Sequence, residues 1–260
     1  MLARRLIAAL LALSPLPAAA FDRFEIQVYQ PEINEPGHLG LELHTNYTAQ
    51  GNRQPGYPGE IPPWHTGRLT LEPALGVTPW LELGAYLQLL DAPSRGVRYA
   101  GSKLRAKLVA PPPFGEGSFL GVNFEIARVP AEVERNGWST ELRPFVGWEG
   151  RWLLLDLNPI LGSALSGKDA FRVTLEPAAK VAFNTQLGFA IGAEYYADLG
   201  FADAILPLRE QAHYIFGVLD VVAAHGQPGS PWEVSLAMGG GLTHGGDQQL
   251  IVKTIVGRSF

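Results

Sequence analysis

The chain has 260 residues, a net charge of −5 and no cysteine. The lack of cysteine excludes disulfides, thiolate zinc sites and cysteine nucleophiles, and the negative charge argues against a nucleic-acid partner. Apolar residues make up 47% of the chain and charged residues 17%, so the mean hydropathy lies close to zero. A helical membrane protein would be far more hydrophobic and a disordered chain far less so. Regular alternation of apolar and polar residues gives this average, as a barrel in lipid requires.

The first 20 residues have the parts of a secretory signal peptide. Arg4 and Arg5 supply the charged region, residues 6–13 form a short apolar run, and residues 18–20 make an A-x-A cleavage site. The apolar run is too short to span a bilayer as a helix. The alternative, an N-terminal anchor helix, is the weaker interpretation because the cleavage pattern is complete. We therefore expect residues 1–20 to be removed on export in a Gram-negative cell.

After the signal peptide, apolar and other residues alternate with period two, which predicts strands. Twelve runs follow one another at residues 39–47, 68–75, 81–89, 103–108, 120–126, 141–148, 152–158, 172–181, 187–195, 214–221, 233–238 and 249–260. A soluble β-sandwich also alternates, but its strands are shorter and its polar face is less often charged. The sequence therefore predicts an all-β fold, a transmembrane antiparallel up-and-down β-barrel of about 12 strands over residues 38–260.

The lengths of the connections predict the orientation of the barrel, because bacterial barrels have short periplasmic turns and longer outer loops. With the C-terminus in the periplasm, the short connections are 77–80, 111–117, 149–150, 184–186 and 226–231, and the longer ones are 48–66, 129–138 and 199–210. An interfacial girdle is predicted from the tryptophans beside the short turns, which are Trp80, Trp148, Trp152 and Trp232. Pro73, Pro144 and Pro177 each predict a bulge or kink in the wall.

The chain ends on an aromatic residue, Phe260, which closes an alternating run through Val252 and Val256. This ending resembles the C-terminal signature of outer-membrane proteins that the barrel assembly machinery reads, although Arg258 departs from the pattern. We therefore expect Phe260 to be a membrane-assembly signal, the location to be the cell outer membrane, and the partners to include outer-membrane lipid and the barrel assembly machinery.

Three stretches carry a resemblance to a known family: FEIQVY at 24–29, GLELH at 40–44 and LEPALGVTPWLELG at 71–84. They resemble the outer-membrane proteins grouped as components of the MetA pathway of phenol degradation. The resemblance spans the mature chain and implies a barrel concerned with solute passage, with hydrophobic or aromatic solutes as candidates. It supplies no substrate, cofactor or catalytic residue.

The polar face of the predicted strands carries positive and negative charges in nearly equal number. The candidate lumen-lining residues are Glu42, Arg68, Glu72, Glu82, Lys103, Arg105, Lys107, Glu125, Glu141, Arg143, Arg172, Glu176, Lys180, Glu194, Asp220 and Lys253. Unpaired charge in a narrow lumen is very costly. These residues therefore either line an open, selective channel or form a salt-bridge network that fills the barrel.

The row Lys103, Arg105 and Lys107 is the sharpest feature of this face, because three like charges in succession need facing carboxylates or an anion. Glu125 and Glu141, on the next two strands, are the expected partners.

The first function hypothesis is a passive channel or transporter for small solutes. The alternatives are a structural protein with a closed lumen and, less favoured, an outer-membrane lipid hydrolase. His213 faces outward near a strand end, as a hydrolase histidine would, but no serine accompanies it in an obvious arrangement. The six histidines show no metal-binding spacing and are interpreted as turn residues. We expect no enzymatic activity, no metal and no cofactor.

Residues 21–37 form a separate segment before the barrel. Phe24, Ile26 and Val28 alternate with their neighbours, yet an even strand count leaves this run no place in the wall. We expect the segment to start in the periplasm and to fold against or into the barrel, which would narrow the bore. A flexible periplasmic tail is the alternative.

Deletion of Phe260 should lower the amount of folded barrel in outer-membrane fractions without changing signal cleavage, because the assembly machinery would lose its terminal aromatic. Heat-modifiable migration measures the folded barrel, and the mass of the mature chain reports cleavage. The matched control is Phe114→Ala, in the predicted turn 111–117, which should assemble normally. Unchanged folded barrel after the deletion would contradict the assignment.

Overall fold

The computed structural model describes residues 22–93, 95–185, 187–221 and 232–260. The predicted signal peptide, the predicted turn at 226–231 and Gln186 lie outside the described residues. Among the described residues, no helix is long and apolar enough to cross a membrane.

The described chain is built from strands that lie in one antiparallel sheet. They are β1 Leu39–Gly51, β2 Thr66–Thr78, β3 Leu81–Ala92, β4 Gly96–Val109, β5 Ser118–Arg128, β6 Trp138–Glu149, β7 Leu153–Asn158, β8 Leu161–Ala164, β9 Val173–Leu175, β10 Ala178–Asn184, β11 Phe189–Asp198, β12 Gly200–Phe201, β13 Ala204–Ile205, β14 Ala212–Val221, β15 Trp232–Gly241 and β16 Gln248–Ser259.

These segments make twelve barrel strands, because β7 and β8, β9 and β10, β11 and β12, and β13 and β14 are successive pieces of four strands. Neighbours along the chain pair with one another, and β16 pairs with β1 from Gly40↔Ser259 to Gly51↔Gln248, which closes the sheet. Closure leaves no free edge to aggregate or to face lipid unpaired. The predicted twelve-stranded barrel is confirmed.

Alternation along each strand sorts side chains between the outer wall and the lumen. In β4, Leu104 on the outer wall is 63% exposed, whereas Arg105 on the lumen face is 5% exposed. An exposed apolar wall is what lipid requires, and a polar interior needs water or internal partners. The 13-residue strands β1 and β2 exceed the roughly 9–11 residues that a tilted strand needs to cross the hydrocarbon core.

The two ends of the barrel differ, and we call them the turn end and the loop end. The turn end holds the short connections at 79–80, 150–152 and 185–188, together with the C-terminus, where the Phe260 amide bonds to the Leu39 carbonyl. The loop end holds the long connections at 52–65 and 129–137, and at this end β3 and β4 pair as far as Ala92↔Gly96. The predicted loop 199–210 contains the small β12–β13 hairpin. The four tryptophans predicted as a girdle lie beside turn-end connections, each with close to half of its surface exposed.

Pro73 and Pro144 interrupt the sheet without the predicted bulges, whereas a one-residue register shift does accompany Pro177, between the pairs Ala178↔Tyr196 and Thr174↔Phe201. Pairs on both sides of Pro73 keep one register between β2 and β3, and β7 and β8 keep one register with β6 across Pro144. Since proline lacks an N–H, a ladder bond is lost where it stands, but no extra residue is needed. Another register shift lies between Gln88 and Leu89, opposite Gly101 with its φ of 153°.

Replacing Leu87 with Arg should destabilise the folded barrel by about 2–4 kcal/mol, because the side chain is 42% exposed on the outer wall in the middle of β3. Urea unfolding in lipid vesicles measures this loss. The matched control is Val97→Arg. Val97 is also apolar but lies at the loop end, where its side chain is 71% exposed, so that this substitution should lower the stability by only about 0–1 kcal/mol. Equal effects of the two substitutions would contradict the assigned lipid face.

Candidate functional site

The barrel lumen is occupied by residues 22–34, which we call the lumen segment. At the loop end, Arg23 pairs with Glu60 and Asp247, both in long connections. At the turn end, the Asn34 amide and side chain both bond to Glu82, each at 2.7 Å. The described part of the segment therefore starts at the loop end and descends, and the expectation that it starts at the same end as Phe260 is wrong. The alternating sequence pattern does not indicate in which direction the segment runs through the lumen. That direction is set by contacts such as those of Arg23 with Glu60 and Asp247.

The lumen segment forms no strand, so its backbone needs other partners. The Asn158 side chain makes two hydrogen bonds to the backbone of Tyr29. Its oxygen accepts from the Tyr29 amide at 2.7 Å, and its nitrogen donates to the Tyr29 carbonyl at 3.2 Å. Asn46 donates to the carbonyls of Arg23 and Phe24 at 3.1 and 3.0 Å. Buried backbone groups without partners are costly, so these two amide side chains take the place of a neighbouring strand.

Three cations on the barrel wall bind backbone carbonyls of the lumen segment in the same way. They are Lys253 to Ile26 at 2.7 Å, Arg143 to Gln27 at 2.9 Å and Lys107 to Glu32 at 2.6 Å. A charged donor to a carbonyl makes a stronger hydrogen bond than a neutral one. The positive charges that were predicted to line the lumen thus hold the segment as well.

In the row of like charges on β4, Lys103 and Arg105 form ion pairs with carboxylates, whereas Lys107 donates to the Glu32 carbonyl. Lys103 contacts Asp22 and lies 3.3 Å from Glu25 and 2.8 Å from Glu125. Glu125 is therefore the facing partner that the sequence predicted. Glu141 is not, because it pairs with Arg143 of its own strand at 2.8 Å. The lumen segment supplies two further carboxylates to Lys103, those of Asp22 and Glu25.

Two further groups of ion pairs join side chains of different strands on the lumen face of the wall. Arg105 bridges Glu72 and Glu82 at 2.7 and 2.8 Å. On the opposite side, the members of the second group are Lys180, Glu194, Asp220 and Lys253, in which Lys180 lies 2.8 Å from Asp220 and Glu194 contacts both lysines. Each cation has at least one carboxylate beside it, as buried charge requires.

Fifteen of the sixteen predicted lining residues face the lumen, and Arg172 lies at its rim. Arg172 pairs with Asp169 and Asp203 in the loop-end connections and has a side-chain exposure of 34%. Arg68 faces the lumen but contacts hydroxyl and amide groups, those of Thr48 and Gln248. The remaining fourteen lie among the ion pairs and cavities described in this section.

Sequence analysis missed residues that hold the lumen together. His44, interpreted as a turn histidine, lies in the middle of β1 and is 1% exposed. Its place on the same strand face as Glu42 was visible from the period-two pattern. Asn46, Asn158 and Tyr86 gave no such signal, because their partners lie in the lumen segment or on distant strands.

His213 has partners that do not resemble a hydrolase centre. Its Nδ1 lies 2.6 Å from the Tyr195 hydroxyl and its Nε2 lies 3.0 Å from the Gln211 side-chain oxygen. A general base for lipid hydrolysis would contact the serine that it activates. A phenol and an amide occupy those positions among the described residues.

Three cavities follow one another along the lumen segment. The loop-end cavity measures about 260 Å³ and the turn-end cavity about 120 Å³, and a middle cavity of about 10 Å³ lies between them. Asp22, Glu141 and Glu176 line both the loop-end and the middle cavity, and Gln27 lines both the middle and the turn-end cavity. The middle cavity is about the size of one water molecule.

The loop-end cavity has charged walls. Burial and the negative charge of Asp22 raise the pKa of Glu134, in the connection 129–137, to about 7. Arg135 and Arg172 line the same cavity. Its charge therefore changes near neutral pH, from less negative below the pKa of Glu134 to more negative above it.

No family model matches the chain, and no curated protein matches it. Among solved structures, the chain is similar to an outer membrane channel from Pseudomonas putida F1, with a TM-score of 0.61 and 12% identity over 91% of this chain and 100% of that chain. It is also similar to the KdgM porin, with a TM-score of 0.54 and 10% identity over 85% and 99% of the two chains. The NanC porin gives 0.50 and 10% over 85% and 98%. These neighbours are outer-membrane barrels, and at such identities the likeness shows a shared fold.

Replacing Lys253 with Met should destabilise the folded protein by about 3–5 kcal/mol, because Glu194 and the Ile26 carbonyl would lose a buried partner. Unfolding in urea measures the difference. Lys168→Met, at an exposed loop position, is the control and should change stability by less than about 0.5 kcal/mol. A stability loss at Lys253 no greater than that of the control would show that the lumen segment does not depend on this contact.

Proposed function

We propose that the protein is an outer-membrane channel for small solutes whose bore is narrowed by its own lumen segment. The observation that supports this most strongly is the series of cavities that share lining residues from the loop end to the turn end. Barrels of bacterial channel proteins place such a path inside a closed sheet. The shared barrel fold of the structural neighbours agrees with this class of function.

The narrowest point of the path lies beside Gln27 and Arg143, where the middle cavity admits about one water molecule. A solute larger than water therefore requires the lumen segment to move. The segment is held by individual side-chain contacts, without a continuous strand ladder. It can therefore shift while the sheet itself stays closed.

The charged lining favours small polar solutes. Both terminal cavities carry positive and negative side chains, so that a hydrophobic solute would displace hydrating water from charged groups at a cost. Hydrophobic or aromatic solutes remain the candidates implied by the resemblance to the family of phenol degradation components. A permeation panel that contains both classes separates the two.

The proposal includes the surroundings of the barrel. The apolar outer wall would contact outer-membrane lipid, and the terminal strand β16 with Phe260 would be recognised by the barrel assembly machinery. Phe260 is 62% exposed, which leaves its ring available for recognition.

A structural role with a closed lumen is the second candidate. The observation that favours it is the density of ion pairs between the lumen segment and the wall, with Lys103 and Lys253 at 8% and 1% exposure. An open porin would leave such groups in contact with water. The two candidates differ in whether the lumen segment ever leaves its place.

Deletion of residues 22–35 should raise the unitary conductance in planar bilayers severalfold, because the segment fills the bore that the deletion would open. The control is the double variant Glu35→Ala, His38→Ala, whose side chains are 86% and 53% exposed and which should conduct as the wild type does. Folding of each variant is checked by heat-modifiable migration. An unchanged conductance in a folded deletion variant would exclude the narrowing role, and conductance near zero in all variants would favour the closed structural protein.

A further inference from the structure

Two carboxylates and one imidazole meet on the lumen face of the first two strands. Glu42 of β1 stands directly opposite Glu72 of β2, and His44 follows Glu42 on the same face. Like charges directly opposite on adjacent strands destabilise a sheet. The pair therefore needs a positive charge between its members.

The distances within this group are those of atoms that share a ligand. The His44 Nε2 atom lies 3.3 Å from a Glu42 oxygen and 3.3 Å from a Glu72 oxygen. Four ligands placed tetrahedrally about 2.0–2.2 Å from a zinc ion lie about 3.3–3.6 Å from one another. Both distances from the His44 Nε2 atom to the carboxylate oxygens therefore match the distance between two ligands of one tetrahedral zinc ion.

The same atoms lack hydrogen bonds. Among the described residues, both ring nitrogens of His44 and the Glu72 oxygen that faces them have no hydrogen-bond partner, and the two side chains are 1% and 2% exposed. A protonated ring that bridged the carboxylates would point its N–H at one of them, and neither contact has that direction. Buried polar atoms left in this state are costly unless a ligand completes them.

Arg105 orients one of the three candidate ligands, Glu72, and the turn-end cavity leaves room for a fourth ligand. Arg105 binds the other oxygen of Glu72 at 2.7 Å, which leaves the unpartnered oxygen for the site. Outer contacts of this kind orient metal ligands. Glu42 and Glu72 also line the turn-end cavity, which is roomy enough to supply water as a further ligand.

We propose that Glu42, His44 and Glu72 bind a divalent cation of the zinc class, with water from the turn-end cavity in the remaining position. One imidazole and two carboxylates suit zinc and the neighbouring first-row ions. The cation would neutralise the facing glutamates and tie β1 to β2 beside the lumen segment. The site does not depend on solute passage.

The test uses the purified, folded, full-length mature protein in detergent, freed of metal by a chelator and titrated with Zn²⁺ alone. The wild type should bind one zinc ion per chain, and His44→Gln should bind it at least tenfold more weakly. The matched control is His38→Gln, an exposed histidine 3.8 Å from Glu35, which should bind as the wild type does. Equal affinity of His44→Gln and the wild type, or no stoichiometric binding to the wild type, would overturn the proposal.

A second measurement uses only the wild type, so that it tests the proposal even if the His44→Gln variant fails to fold. The wild type loaded with Co²⁺ should show the visible absorption of a four-coordinate site, and X-ray absorption of the zinc form should show four nitrogen or oxygen neighbours with the outer-shell scattering of one imidazole ring. A six-oxygen environment would overturn the site. Neither readout involves conductance, so failure here and failure of the proposed channel are distinguishable.

Discussion

The lumen of this barrel depends on one constraint, the need to provide partners for the backbone of an irregular segment buried inside a sheet. Residues 23–32 lie within the lumen without a strand beside them. The amides of Asn46 and Asn158 and the cations Arg143 and Lys253 provide those partners. The dependence is mutual, because Arg143 and Lys253 would each lose a buried carbonyl acceptor if the segment were absent. The charged interior and the segment are thus one interdependent structure.

The sheet could be predicted from the sequence because its cause is local. A strand with one face in lipid must alternate, so the period-two pattern placed all twelve strands and the parity of nearly every lining residue. The turn and loop ends followed from connection lengths. No bulge lies at Pro73 or Pro144, because a missing N–H interrupts a ladder without adding a residue, whereas the strand opposite Pro177 does carry one extra residue.

The interior could not be predicted to the same depth, because its contacts join residues that are far apart in the chain. Tyr29 meets Asn158 across 129 positions, and Lys253 meets Ile26 across 227. The period-two pattern shows that a side chain points into the lumen, but it does not show which residue that side chain contacts. Glu141 was therefore matched with the wrong cation, and the direction of the lumen segment was reversed. His44 shared the face of Glu42 in the pattern, but only the register of β1 with β2 brings Glu72 beside both.

Hydrogen–deuterium exchange of the lumen segment in the folded protein tests the buried segment most directly. The amide of Tyr29, which donates to Asn158, should be protected to a similar degree as amides in β1 and β16. Exchange of the Tyr29 amide as fast as that of the exposed connection residues Arg53 and Gln54, in a barrel whose strands stay protected, would show that the segment is not held in the lumen.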